Sequence, residues 1–198
     1  MGIVVKGDFV RKKGDKTTAA DQPIQGYRLK LGVAFSDPLI WRILQVSGKM
    51  TLAELHLVFQ ACMGWNDLES HQFLVGKKFY QPGAPLDGEA DHCEAGVQLF
   101  ELEEGMQFLF TYLYGAGNWE LEIAVEEVLA AGSVTDYAVL LDGKGCCPPE
   151  ELGDIHAYQL LLSNLEKSGG RIPGYPDLNP DTCDIDGINN ILKTMFND

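Results

Sequence analysis

The chain is poor in positive charge: 15 Lys and Arg stand against 29 Asp and Glu, a formal charge of -14 over 198 residues. Such a surface repels phosphate backbones. Nucleic acid is therefore disfavoured as a partner unless Arg11, Lys12, Lys13 and Lys16 act alone as a basic arm. That cluster lies in a polar stretch ending near Gln25 and reads first as a solvated loop. No apolar run approaches the roughly 20 residues that span a bilayer. The start, Met1 to Val10, is interrupted by Lys6 and Asp8 and lacks the apolar centre of a secretory signal. A cytoplasmic location without a membrane partner is the default expectation. Five cysteines, Cys62, Cys93, Cys146, Cys147 and Cys183, include no CxxC pair, which argues for reduced thiols rather than a disulfide framework. Gly115-Ala116-Gly117 and Gly143-Lys144-Gly145 lack the Lys-Ser/Thr ending of a phosphate loop. With no complete cofactor, nucleotide or catalytic motif, no cofactor and no resident metal are expected.

What is present is the pattern of a soluble core. A hydrophobic share of 45% with 22% charged residues is that of an ordinary globular protein, and the length suits one domain. We read residues 1–26 as an arm or edge strand and 27–198 as that domain. Leu29, Leu31, Val33 and Phe35 alternate with more polar or small residues, the period of a half-buried strand. After Ser36-Asp37-Pro38 a second strand, Leu39 to Val46, is expected to pair with it antiparallel. Thr51 and Glu54 form a capping box ahead of Leu52, Leu55, Val58, Phe59, Cys62 and Met63, and Gly64 supplies the stop. His71 to Val75 and Lys78 to Tyr80 flank a short turn. Phe108 to Tyr114 and Trp119 to Val125 make the clearest hairpin, with aromatics on one face and acids along part of the other. A strand over Tyr137 to Leu141 and helices after Asp154 and Asp184 complete the reading. The expected fold is α+β: one domain, a mainly antiparallel twisted sheet with about three helices.

Ile40-Trp41-Arg42, the Thr51 to His56 cap, Gly64-Trp65-Asn66-Asp67, His71-Gln72-Phe73, Asn118-Trp119-Glu120, Leu141-Asp142-Gly143 and Cys147-Pro148-Pro149-Glu150 together resemble the Ri-plasmid ORF-three-like family. Some members carry TnpR-type labels as passengers of transposable elements. The resemblance runs from about Tyr27 to Phe196 and implies a compact α+β domain with no established activity. It also implies two departures. Tyr114-Gly115-Ala116-Gly117-Asn118 replaces the family's Tyr-Asp-Phe-Gly-Asp turn, with Leu121 where a histidine follows. Glu69 stands for the first of two histidines, leaving His71.

The sharpest chemical grouping is Asp67, Glu69 and His71 with Glu120 and Glu122, which, if they converge, suit a divalent metal or acid–base work. Scattered along a solvated strand edge, the same residues do neither. Cys146 and Cys147 with His156 and Cys183 are a weaker zinc set, since adjacent cysteines seldom reach one tetrahedral ion. His92-Cys93 lacks an orienting partner for nucleophilic chemistry, and His56 reads as a boundary histidine on a helix. Trp65, Trp119, Tyr112 and Tyr114 with Trp41 promise an aromatic wall, either core or a groove with acidic rims. The leading expectation is a binding module for a protein segment or small cationic ligand. The alternatives are a metal-dependent hydrolase-like enzyme and a mobile-element accessory factor.

Overall fold

Alternation along the strands decides the layers. In the computed structural model, which describes residues 25–66, 70–83, 93–99, 102–167, 174–176 and 178–196, the strands are β1 (Gly26–Val33), β2 (Trp41–Ser47), β3 (His71–Val75), β4 (Lys78–Tyr80), β5 (Gln107–Tyr114), β6 (Gly117–Leu129) and β7 (Val139–Lys144). They form one sheet in the order β4-β3-β5-β6-β1-β2-β7, and every pair is antiparallel. Tyr27, Leu29, Leu31, Leu44, Val46, Phe73, Phe110, Tyr112, Trp119, Leu121 and Ile123 all turn to one buried face. Helices α1 (Leu52–Met63), α2 (Ile155–Lys167) and α3 (Ile185–Met195) send residues into the same core. This is the expected α+β domain. Residues 1–24, including the basic arm, lie outside the described residues.

Helix α1 starts on its capping box, with Thr51 N donating to Glu54 Oε2 at 2.7 Å and Glu54 N to Thr51 Oγ1 at 3.2 Å. It stops at Gly64, whose φ of 69° costs glycine nothing. Gly64 N reaches Ala61 O and Trp65 N reaches Gln60 O, the paired return bonds of a Schellman ending. The helix is buried over most of its circumference because it is pressed between the sheet and α3. Phe59 meets Phe73 and Phe110 with ring centroids 6.1 and 5.4 Å apart.

Several boundaries differ from the sequence reading: β1 ends at Val33, so that Phe35 is exposed in the turn rather than on the buried face, and β6 runs on to Leu129. β2 begins at Trp41, since Leu39 is exposed beside the Ser36 to Pro38 turn. β7 runs through Asp142-Gly143 to Lys144 because Gly143 pairs with Arg42, where a Cβ would meet Cys183 Sγ at 2.7 Å. Only glycine fits at that crowded strand position.

The β7 edge is closed by α3. Asn189 Nδ2 donates to Leu140 O at 2.9 Å and its Oδ1 accepts from Leu140 N at 2.8 Å, the two bonds a neighbouring strand would make. Asn189→Leu should cost about 2 kcal/mol, because both backbone groups lose their partner. Urea unfolding will measure it, and an unchanged midpoint would mean that water already satisfies this edge.

Candidate functional site

Trp65, Tyr112 and Trp119 converge beneath the loop Cys147 to Glu150. Tyr112 and Trp119 are direct cross-strand partners on β5 and β6, and the Trp65 ring stacks on Tyr112 at 5.2 Å and 13°. Trp65 lies 5.5 Å from Trp119. The loop covers them: Trp65 Nε1 donates to Pro148 O at 3.0 Å, and Trp119 Nε1 to Glu150 O at 3.4 Å. Glu150 is buried, accepting from the Tyr112 hydroxyl and, through Oε2, from Asn66 N and Asn66 Nδ2, each at 3.0 Å. The aromatic wall is thus roofed core and leaves no groove along these rings. Tyr114, two residues beyond Tyr112, is half-buried at the hairpin end.

His71 pairs with Tyr112 across β3 and β5 and faces the same interior. Its Nε2 lies 2.8 Å from Glu94 Oε2, and its ring stacks on His56 at 3.5 Å and 8°. Gln60, one turn beyond His56, is buried with both amide atoms unpartnered among the described residues. Glu120 and Glu122, in contrast, are exposed on the opposite face, because they alternate with Trp119 and Leu121. The grouping of His71 with Glu120 and Glu122 therefore does not assemble: a sheet separates them. Asp67 and Glu69 lie outside the described residues, as does His92. Among the described residues no group of three or more His, Cys, Asp or Glu is arranged to hold a metal.

The second buried polar centre is one the sequence analysis missed. Arg42, 0% exposed, comes from β2 and meets the C-terminal end of α1, which has no basic residue of its own in its last turn. Its Nε donates to Cys62 O at 3.2 Å, a carbonyl left without a partner by the end of the helix. Its Nη1 donates to Trp41 O and Lys144 O, each at 2.9 Å, and Nη2 lies 3.7 Å from Cys147 Sγ. The signal was present in the alternation, since Arg42 shares its parity with Leu44 and Val46. Burial pushes the Cys62 thiol far up, against the pull of Arg42. Burial likewise raises Cys146, whose Sγ lies 3.0 Å from the Tyr158 hydroxyl, and raises Cys183. Tyr158 is raised mainly by its own burial. His156 is exposed on α2, away from the Cys147 thiol that rests against Cys62 O, so the zinc set is not brought together. Glu94 had no signal at all in its loop.

The sequence profile of the family described as plasmid pRiA4b ORF-3-like protein matches residues 25–171. The chain belongs to this family. The chain is 31% identical over 143 residues to the uncharacterised protein y4hQ of Sinorhizobium fredii (strain NBRC 101917 / NGR234), covering 70% of this chain and 72% of that protein. It is also similar to the crystal structure of MM3350, a protein of unknown function from Methanosarcina mazei Go1. That similarity has a TM-score of 0.69 at 25% identity and covers 83% of this chain and 98% of the other. The match to the pRiA4b ORF-3-like profile starts beside β1 and ends before α3. Trp65, Asn66, Trp119 and Glu150, which lie in the segments that carry the sequence resemblance, are brought together in the closed joint. Among the described residues, no helix is long and apolar enough to cross a membrane.

Proposed function

We propose that this pRiA4b ORF-3-like protein is a binding module whose open sheet face takes an extended, positively charged protein segment. The observation that carries this reading is the placement of exposed Glu120 and Glu122 on the face opposite the helices. Around them lie half-buried apolar side chains: Leu109 pairs with Glu122, and Leu74 pairs with Leu109. On the far side Gly32 separates Glu122 from Trp41. Apolar surface beside carboxylates suits a segment that alternates aliphatic with cationic residues. Trp41 already takes a cation, with Lys30 Nζ 5.9 Å from its ring centroid. The overall charge of -14 would draw such a partner in.

Titration of the full chain with a peptide alternating lysine and leucine tests this, read by tryptophan fluorescence. Trp41 is the partly exposed reporter, while Trp65 and Trp119 are buried. Combined Glu120→Lys and Glu122→Lys should weaken binding by about tenfold or more at low salt, with the circular dichroism spectrum retained. Equal affinity for the reversed face, or loss of binding on reversing exposed Glu104 instead, would remove the sheet face as the site.

A further inference from the structure

We propose, resting on the reading of the open sheet face as a binding surface, that this face is held by the chain's own residues 1–24, with Arg11, Lys12, Lys13 and Lys16 set against Glu120 and Glu122. A partner segment then binds only by displacing them. One row of paired residues crosses the face from the β4 edge inward: Phe79, Leu74, Leu109, Glu122, Gly32 and Trp41. Phe79 is 53% exposed, and Leu74, Leu109 and Trp41 are half-buried. A Cβ on Gly32 would meet nothing nearer than Glu122 O at 4.0 Å, so the strip beside the carboxylates is bare. Apolar side chains in a continuous row, left uncovered next to charge, mark an interaction surface.

Charge and composition single out residues 1–24 as the occupant. They carry five of the 15 basic residues but only three of the 29 acids, so a segment of net +2 is tethered to a body of net -16. Ile3-Val4-Val5-Lys6 and Phe9-Val10-Arg11-Lys12-Lys13 join apolar side chains to cations, the chemistry this face suits. The reach also fits. Gln25, the first described residue, is fixed at the root of β1, its carbonyl accepting from Gly48 N at 2.9 Å. Glu122 pairs with Gly32 near the far end of β1, about 20 Å along the strand from that root. Lys16 stands nine residues before Gln25, which allows up to about 30 Å of extended chain. From Glu122 the row runs across β5 and β3 to Phe79 on β4, about 14 Å, which Phe9 and Val10 can span once Lys16 is at Glu122. Single exposed ion pairs contribute little. Tethering, however, raises the local concentration of the segment to about millimolar, so weak contacts hold it ahead of a dilute partner.

The experiment treats the full chain at low salt with a carbodiimide, which joins lysines directly to touching carboxylates, and maps the links by peptide mass spectrometry. An equal mixture of unlabelled and heavy-isotope-labelled protein separates links within one chain from links between copies. Lys12, Lys13 and Lys16 should join Glu120 and Glu122 within one chain. Links that fall instead on Asp186 of α3 or on Glu151, or that join light to heavy chains, would overturn the proposal, the latter making a second copy the donor of the segment. In parallel the lysine–leucine peptide is titrated into two full-chain variants of equal charge. Lys12→Gln with Lys13→Gln should bind it about tenfold more tightly than Lys167→Gln with Lys193→Gln, whose lysines lie on the helices. Equal affinity of the two variants would sink this inference and leave the binding face standing. The predicted links with no peptide bound by either variant would support residues 1–24 as the occupant and remove the external partner.

Discussion

Arg42→Ala is expected to destabilise the protein by about 5 kcal/mol, the range seen when one member of a buried polar assembly is removed. The carbonyls of Trp41, Cys62 and Lys144 lose their donor together. Trp41 and Lys144 are partners across β2 and β7, and Cys62 belongs to the last turn of α1. One side chain therefore joins a sheet edge to a helix end, and its removal also opens a cavity. Arg42→Met fills that space and removes the buried charge, so it should cost about half as much, the unpaired carbonyls being what remains. Urea unfolding of the two variants separates the causes. If alanine and methionine cost the same, cavity formation is negligible and hydrogen bonding alone explains the arginine.

Glu150→Ala should lower stability by about 4 kcal/mol, each hydrogen bond to a charged group contributing about 1.5–3 kcal/mol less some relaxation. The Tyr112 hydroxyl and both Asn66 donors would lose this acceptor beneath the loop. For a chain of this size that corresponds to a melting temperature lower by about 10 °C. Glu150→Gln keeps one oxygen but turns an amide donor toward groups that themselves donate, so it should recover less than half of the loss. Glu151, its exposed neighbour, is the control, and Glu151→Ala should stay within about 0.5 kcal/mol. A Glu150 variant as stable as that control would mean that the loop is not what closes the aromatic joint.

Much of the fold could be read from short stretches. The caps of α1 and the alternation in β5 and β6 are local signals, and the structure keeps them. Part of the candidate site was legible too. Period-two alternation already set Glu120 and Glu122 opposite Trp119, so they could join His71 only if His71 faced outward. Its parity with Phe73 and Val75 turns it inward, a signal blurred by the apolar Leu74 on the other face. Glu94 was hidden for a different reason: its role depends on a loop returning to β3, 23 residues away in the chain. The aromatic residues announced a wall, but whether it was open depended on a Pro-Pro loop more than 80 residues beyond Trp65.

By itself the sequence determined the α+β class and the inward and outward parity of β5 and β6, because these follow from residue period within a few positions, and its motifs carried the resemblance to the family. It also marked the block from Ile40 to Asp67 that holds Arg42, Trp65 and Asn66. Only the tertiary structure decided that Arg42 serves the end of α1, that Glu150 closes the tryptophan joint, and that the carboxylates once grouped with His71 look out from the other side of the sheet. Those outcomes depend on which strands become neighbours and which loops fold back over them. A buried charge or carboxylate takes whatever partner is nearest in space, and that partner is set by packing across the whole chain rather than by residues beside it.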